Sequence, residues 1–375
     1  MLKKTGRALM TVLFLASCSS SETTVIKDEY LYCSTECFSD NGLFYIGMDG
    51  QGGLHFTDPG NFRNYDLSYH QMKDDETMNP VYIGFVCFYD GRVVYSKLED
   101  NSTSLVIYEC SPDGTEESRI TVYSANGKGQ YEAVREAFLY HDSLYFSRVF
   151  VNFGNSAMEE VLCSLNLKTG KTEELTAQVK SNGSSLIPAF IYDDCLYFNS
   201  EVNLETNEFS DAFILYRYCF GTGRTEEMND QLVYPLHLKD MPESEYVYFG
   251  TGNAVSEDDQ LLFMQYDLKT NEITEQIFEY DLDEGDVMYS GTSFSDFIQI
   301  RIMKKDSEYP DTVFYYPQTG IAEYFEADDA FIPSLMNSSY ILGYEKTDAE
   351  GYMFSMIGKD DFEERNFSKA VRISK

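Results

Sequence analysis

The sequence predicts an all-β repeat protein, and three observations predict it. Short runs of β-branched and aromatic residues, separated by tight-turn pairs, recur along nearly the whole chain. The centres of the second run in each copy fall at Phe44, Val94, Tyr145, Tyr197, Tyr248, Ile298 and Ile341, giving steps of 50, 51, 52, 51, 50 and 43 residues. A hairpin before the fourth run keeps the same period, at Asp113-Gly114, Thr169-Gly170, Thr222-Gly223, Thr270-Asn271 and Thr319-Gly320. A meander of four strands exposes both faces and buries neither alone, so neighbouring units stack on it. Four strands per unit at a period of about fifty specify a seven-bladed β-propeller of four-stranded antiparallel blades.

The clearest copy runs from Ala189 to Asp230. Its first two runs flank Asp193-Asp194 as a tight hairpin, Ala212 to Cys219 is the third, and Gly221-Thr222-Gly223 turns into the mostly polar run from Arg224 to Met228. That last run reads as an outer strand wetted on one face. The hairpin pattern aligns without gaps from Phe88 to Tyr95, Leu139 to Phe146 and Ile191 to Phe198. The blades are expected over about Tyr32 to Tyr65, Val81 to Tyr123, Arg135 to Thr176, Leu186 to Met228, Leu232 to Tyr280, Val287 to Glu326 and Ala330 to the end. The short last step, 43, predicts lost loop length or a lost strand in the final blade.

Residues 1–17 read as a signal peptide, 18–30 as a tether and 31–375 as one propeller domain. Lys3, Lys4 and Arg7 precede an apolar run from Ala8 to Ala16, the layout of an export signal. Ser19 to Glu29 is polar and Ser-rich, suited to holding a domain away from a surface. Later windows fall short of the 18 or so apolar residues a membrane span needs.

Bulk charge is the most unusual property. The formal net charge is -35, with 63 acidic against 28 basic residues. Such a surface repels phosphate backbones, which excludes nucleic acid as a partner, and its simplest consequence is solubility. Of eight Cys, five (Cys87, Cys110, Cys163, Cys195 and Cys219) fall inside expected strands, where the thiol packs as a small hydrophobe. Cys33 and Cys37 are close enough to invite a disulfide, although nothing else in the sequence supports one. With no paired Cys-x-x-Cys and only 4 His, no metal site is expected, and no cofactor motif is present.

Tests for chemistry are mostly negative. No Trp occurs, which removes the Trp-marked propeller blades. Ser111-Pro112-Asp113-Gly114-Thr115 reads as a β-turn. Gly291-Thr292-Ser293-Phe294-Ser295 fails the nucleophile-elbow pattern at its last position. Asp281 to Asp286 departs from the calcium-loop pattern and reads as a solvated turn. Carboxylate pairs are bound to occur among so many acids and discriminate nothing; Asp142, Asp193 and Asp194 fall in hairpin turns, a structural place. No catalytic residue is assigned, and the sequence favours a binder over an enzyme.

One constellation points to binding. Three residues beyond the second-strand centres lie Lys97, Arg148, Ser200, Thr251, Arg301 and Tyr344. Lys97, Arg148 and Arg301 would place cations at one end of the ring, before the loops joining strands two and three, where Arg suits bidentate capture of an acidic group. Lys97, Arg148, Arg301 and Tyr344 are therefore the expected binding residues, set against the plain alternative that strand ends carry solvated charge.

Two resemblances bear on class. Leu15-Ala16-Ser17-Cys18 resembles the lipobox of bacterial lipoprotein precursors, which implies cleavage before Cys18, lipidation of its thiol and extracytoplasmic anchoring to a bacterial membrane. Segments such as Leu165-Asn166-Leu167-Lys168-Thr169-Gly170 make the rest similar to bacterial lipoproteins with low-density-lipoprotein-receptor-like or TolB-like propellers. These motifs specify a fold and not an activity. Three functional readings stay open: a surface-tethered binding module for a glycan, peptide or partner protein; a carbohydrate-active or other hydrolytic propeller; and a structural subunit of an envelope complex.

Overall fold

In the computed structural model the described residues are 31–33, 36–38, 44–46, 55–58, 63–66, 85–111, 115–154, 158–175, 186–201, 213–228, 238, 245–250, 255–256, 259–327, 331–336, 339–347 and 351–372. Residues 1–30, with Cys18 and the expected signal and tether, lie outside them.

The strands follow one another as antiparallel meanders, each sheet built almost wholly from consecutive strands, and the architecture is an all-β propeller. After β1 (Leu31–Cys33) come β2 (Glu36–Phe38), β3 (Phe44–Ile46), β4 (His55–Asp58) and β5 (Arg63–Asp66), which pair in that order. The next sheet is β6 (Val86–Tyr89), β7 (Arg92–Glu99), β8 (Ser104–Cys110) and β9 (Ser118–Ser124). Then come β10 (Gly129–Tyr140), β11 (Ser143–Asn152), β12 (Met158–Asn166) and β13 (Thr172–Glu174), and after them β14 (Leu186–Tyr192), β15 (Cys195–Glu201), β16 (Phe213–Cys219) and β17 (Arg224–Glu227).

The fifth meander shows β18 (Tyr246–Gly250), β20 (Gln260–Asp267) and β21 (Ile273–Glu279), with β19 (Val255–Ser256) between the first two in sequence. The sixth holds β22 (Val287–Ser293), β23 (Ile298–Met303), β24 (Asp311–Tyr316) and β25 (Ile321–Phe325). The last holds β26 (Phe331–Met336), β27 (Tyr340–Thr347), β28 (Gly351–Gly358) and β29 (Val371–Arg372), with helix α1 (Lys359–Glu363) between β28 and β29.

Seven equal four-stranded blades are not what the described residues show. Six sheets, from β6 onward, carry the described blade cores, and they hold three to five strands. The first repeat is a ladder of three- and four-residue strands, β2 to β5, whose side chains lie outside the described residues. The strand count varies for physical reasons. Short segments from outside a repeat add to an inner strand: β1 pairs with β10, Leu31 opposite Leu139, and β19 pairs with β22, Val255 opposite Tyr289. The fifth sheet shows three strands among the described residues. The last sheet has lost no strand, and its third and fourth strands are joined by α1 and a 3-10 turn over Phe367–Lys369 instead of a tight hairpin.

The cores lie between successive sheets, as alternation requires. Val94 and Ile107 of one sheet meet Ala137, Phe146 and Cys163 of the next. Leu261 and Phe263 meet Ile298, Ile300 and Val313, while Phe297 and Phe314 meet Phe331, Ile341 and Phe362. Another cluster joins the β10, β14 and β18 sheets and reaches Leu335, Leu342 and Met356 of the last.

Two repeated devices fix the geometry. The first strand of four sheets carries a bulge at an equivalent place, between Arg135 and Ala137, Pro188 and Phe190, Ser290 and Ser293, and Pro333 and Leu335. A bulge bends and twists the strand that bears it. Hairpin turns then lock neighbours together: the Tyr89 hydroxyl donates to Asp142 Oδ1 at 2.7 Å, and one sheet further on the Tyr140 hydroxyl donates to Asp194. Asp142 and Asp194 therefore serve as staples between sheets, the structural role expected of turn acids.

The cysteines required one correction. Cys195 and Cys219, expected as separate small hydrophobes, form a disulfide between β15 and β16, where they stand directly opposite each other in the ladder. Cys33, Cys87, Cys110 and Cys163 are buried; the side chain of Cys37 lies outside the described residues.

Candidate functional site

A cleft of about 250 Å³ opens between the last two sheets. Its floor is made by Phe297, just before β23, by Ile341 in β27 and by Phe362 in α1, all three buried. Tyr316 at the end of β24 and Met336 at the end of β26 form half-buried walls. Asp296, Lys359, Glu363 and Arg365 complete the lining, with Glu363 the exposed one and the other three half-buried.

The local sequence explains this shape. The turn between β22 and β23 is closed by the Phe294 N–H donating to the Phe297 carbonyl at 2.9 Å, which stacks the two rings 4.9 Å apart and directs Phe297 into the seam. On the other side, Asp360 and Asp361 lie in the first turn of α1, where acidic groups favour a helix start. Phe362 anchors that turn, with its ring 5.5 Å from Phe314 and 6.3 Å from Phe297.

Arg365 then ties the helix to the neighbouring sheet. Its Nε donates to Glu323 Oε2 at 2.7 Å, Nη2 donates to the Tyr316 hydroxyl at 2.6 Å, and Nη1 donates to the Phe362 carbonyl at 2.8 Å. The guanidinium lies 5.4 Å from the Phe362 ring centre, within cation-π range. Burial raises the Tyr316 hydroxyl above its ordinary value, against the pull of Arg365, so the phenol stays neutral. The apolar floor is thus fixed from both sides, and the charges at the opening are two of each sign.

The polar groups of the cleft are Asp296, Tyr316, Lys359, Glu363 and Arg365. Its lining contains no Ser, Thr, Cys or His. Among the described residues no group of three or more His, Cys, Asp or Glu is placed to hold a metal ion. In the turn over Asp281 to Asp286, Asp286 Oδ1 accepts from the Lys305 N–H at 3.0 Å. A larger hollow of about 630 Å³ lies at the opposite end of the strands, lined by Asp259, Gln260, Glu279, Tyr280 and Asp281. It has no apolar floor, and its groups bond among themselves: Gln260 Nε2 donates to Glu279 at 2.8 Å, and Asp259 Oδ1 accepts from Leu282 N–H at 3.3 Å.

The sequence-expected residues lie away from the cleft. Lys97, Arg148, Arg301 and Tyr344 sit toward the later ends of β7, β11, β23 and β27, whereas the cleft opens at the hairpin end. Lys97 is 9% exposed, pairs with Glu99 at 3.3 Å and lies 5.1 Å from the Tyr108 ring centre. Arg148 pairs with Glu174, donates to the Tyr131 hydroxyl at 3.4 Å and covers the Tyr123 ring at 4.8 Å. Arg301 stands between Tyr289 and Thr312 in the ladder, and Tyr344, 37% exposed, lies opposite Ile332 and Phe354. Lys97 and Arg148 are thus each engaged by a carboxylate of their own sheet.

The cleft residues were missed because their signal is tertiary. The one sequence clue is the stretch Lys359-Asp-Asp-Phe-Glu-Glu, a helix-forming run with one apolar anchor inside an all-β repeat.

With the fold and the cleft described, the chain can be placed in class: it is an all-β propeller. No family model matches the chain, and no curated protein matches it. Among solved structures it is similar to an oligogalacturonate lyase in complex with manganese, at 11% identity and TM-score 0.47, over 88% of this chain and 90% of that one. It is also similar to the β-propeller domain of the trilobed protease from Pyrococcus furiosus, at 9% identity and TM-score 0.46, over 92% and 96%. A third likeness is to TolB from Acinetobacter baumannii, at 11% identity and TM-score 0.35, over 88% and 78%. No residue role is transferred from any of them.

Proposed function

We propose that the protein is a surface-tethered lipoprotein that acts as a binding module, with the cleft between the last two sheets as its ligand site. The observation that carries this is an apolar floor of Phe297, Ile341 and Phe362 ringed by Asp296, Lys359, Glu363 and Arg365. A concave apolar site with a few converging polar groups is the usual form of a small-ligand pocket. The lining contains no Ser, Thr, Cys or His, so a hydrolytic alternative would have to run on the Asp296 and Glu363 carboxylates.

Tethering rests on the lipobox-like Leu15-Ala16-Ser17-Cys18, with Cys18 as the lipidated residue and a bacterial membrane as the partner of its acyl chains. The Cys195–Cys219 disulfide supports an extracytoplasmic location, since such bonds persist in oxidising compartments.

The test is a combined glycan and peptide array probed with the detergent-solubilised full chain, with turnover assayed on every hit. The expected outcome is retention of a ligand that the Met336→Trp variant, its cleft filled, no longer retains. Retention unchanged in that variant contradicts the placement of the site, and turnover of the retained ligand contradicts the binding-module reading.

A further inference from the structure

We infer that the cleft takes one large apolar side chain projecting from a basic peptide segment. This deepens the proposed binding role and rests on it.

The floor decides the inner part of the ligand. Phe297, Ile341 and Phe362 offer no hydrogen-bonding side-chain atom, and the Tyr316 hydroxyl beside them already accepts from Arg365 at 2.6 Å. A sugar ring seated there would lose water from hydroxyls without gaining partners, at a cost for each group. An apolar side chain loses nothing of the kind and gains burial. The volume agrees, since a cavity of about 150 Å³ accepts benzene and this one offers about 250 Å³. Met336, unbranched and polarizable, forms a wall that adapts to side chains of different shape.

The opening decides the outer part. Asp296 and Glu363 supply acceptors and Lys359 a positive charge, while Arg365 is already paired with Glu323. A main chain crossing the opening presents both donors and acceptors to such a rim. The wider body is not neutral: at a formal net charge of -35 it draws cationic segments toward it and repels acidic ones. An apolar anchor flanked by Lys or Arg fits the floor, the rim and the long-range field together.

Fluorescence polarisation of the full chain with labelled heptapeptides tests this. The probe carries a central Phe with two Lys on each side; one control replaces the Phe by Ala, another replaces each Lys by Glu. The Phe peptide is expected to bind at least tenfold more tightly than the Ala control, and the Glu control to bind weakest. Its affinity should fall as salt rises. Met336→Trp, confirmed as folded by circular dichroism, is expected to weaken the Phe peptide, and Lys359→Glu, which makes the rim more acidic, to tighten it. Equal affinity of the Phe and Ala peptides overturns the inference. So does capture of a saccharide in the cleft, lost in Met336→Trp, with no peptide bound; the binding role then survives with another ligand class. If neither peptide nor saccharide binding responds to Met336→Trp, the cleft itself is wrongly assigned and both readings fall.

Discussion

At the scale of single residues, turn acids hold sheets together. Asp142 accepts from Tyr89 of the preceding sheet at 2.7 Å and from Lys168 of its own at 2.8 Å. Those two donors, Lys168 first, hold its carboxyl below the ordinary value. A carboxyl with a lowered folded-state pKa contributes stability that is fully present above its unfolded value, about 3.9. That contribution is lost as pH falls through the folded value. Asp142→Asn should therefore lower the thermal midpoint at pH 7 and have little effect at pH 2, as measured by thermal melts across that range. An equal loss at both pH values contradicts the ion-pair account. Burial also pushes the Cys163 thiol up to about 12, so that Cys is an inert core group and not a reactive one.

At the scale of elements, the inner strands show how the fold guards an edge. Pro188 and Pro333 stand at equivalent places just before the bulges of β14 and β26, and a Pro on an edge strand costs no ladder bond while discouraging a further strand. In β10 and β22 the matching residues are Arg135 and Ser290, and those two strands are the ones that accept β1 and β19. Gly343 belongs to the same logic, since a Cβ there would run into the Ile332 carbonyl oxygen and the Phe331 ring. The disulfide was legible in principle. Cys195 opens the second strand of its hairpin and Cys219 closes the third, so antiparallel pairing sets them opposite each other. Reading both only as hydrophobes hid this, because register is not visible in composition. The bridge spans 24 residues of sequence, and removing it by Cys195→Ser with Cys219→Ser should cost about 3 kcal/mol on the chain-entropy estimate. Denaturant unfolding with and without the bridge measures this, and an unchanged midpoint contradicts a stabilising role.

At the scale of the whole molecule, the repeat was legible and the cleft was not. The period and the tight hairpins are local signals, because a turn such as Asp193-Asp194, both at positive φ, depends on its own few residues. Blade uniformity was over-read. β1 and β19 attach by long-range pairing, and α1 replaces a hairpin in the last repeat, none of which a fixed period announces. The cleft depends on Phe297 and Phe362, 65 residues apart by their numbers, meeting across a seam. The expected rim followed strand register alone, which gives the height of Lys97, Arg148 and Arg301 along their strands but not the engagement of Lys97 and Arg148 by neighbouring acids.

Hydrogen exchange on the full chain, with and without a ligand found on the array, tests the central claim most directly. Ligand-induced protection is predicted over residues 294–297 and 359–365, the two sides of the cleft. Protection at the later ends of β7, β11 and β23 instead, with the cleft segments unchanged, would contradict it.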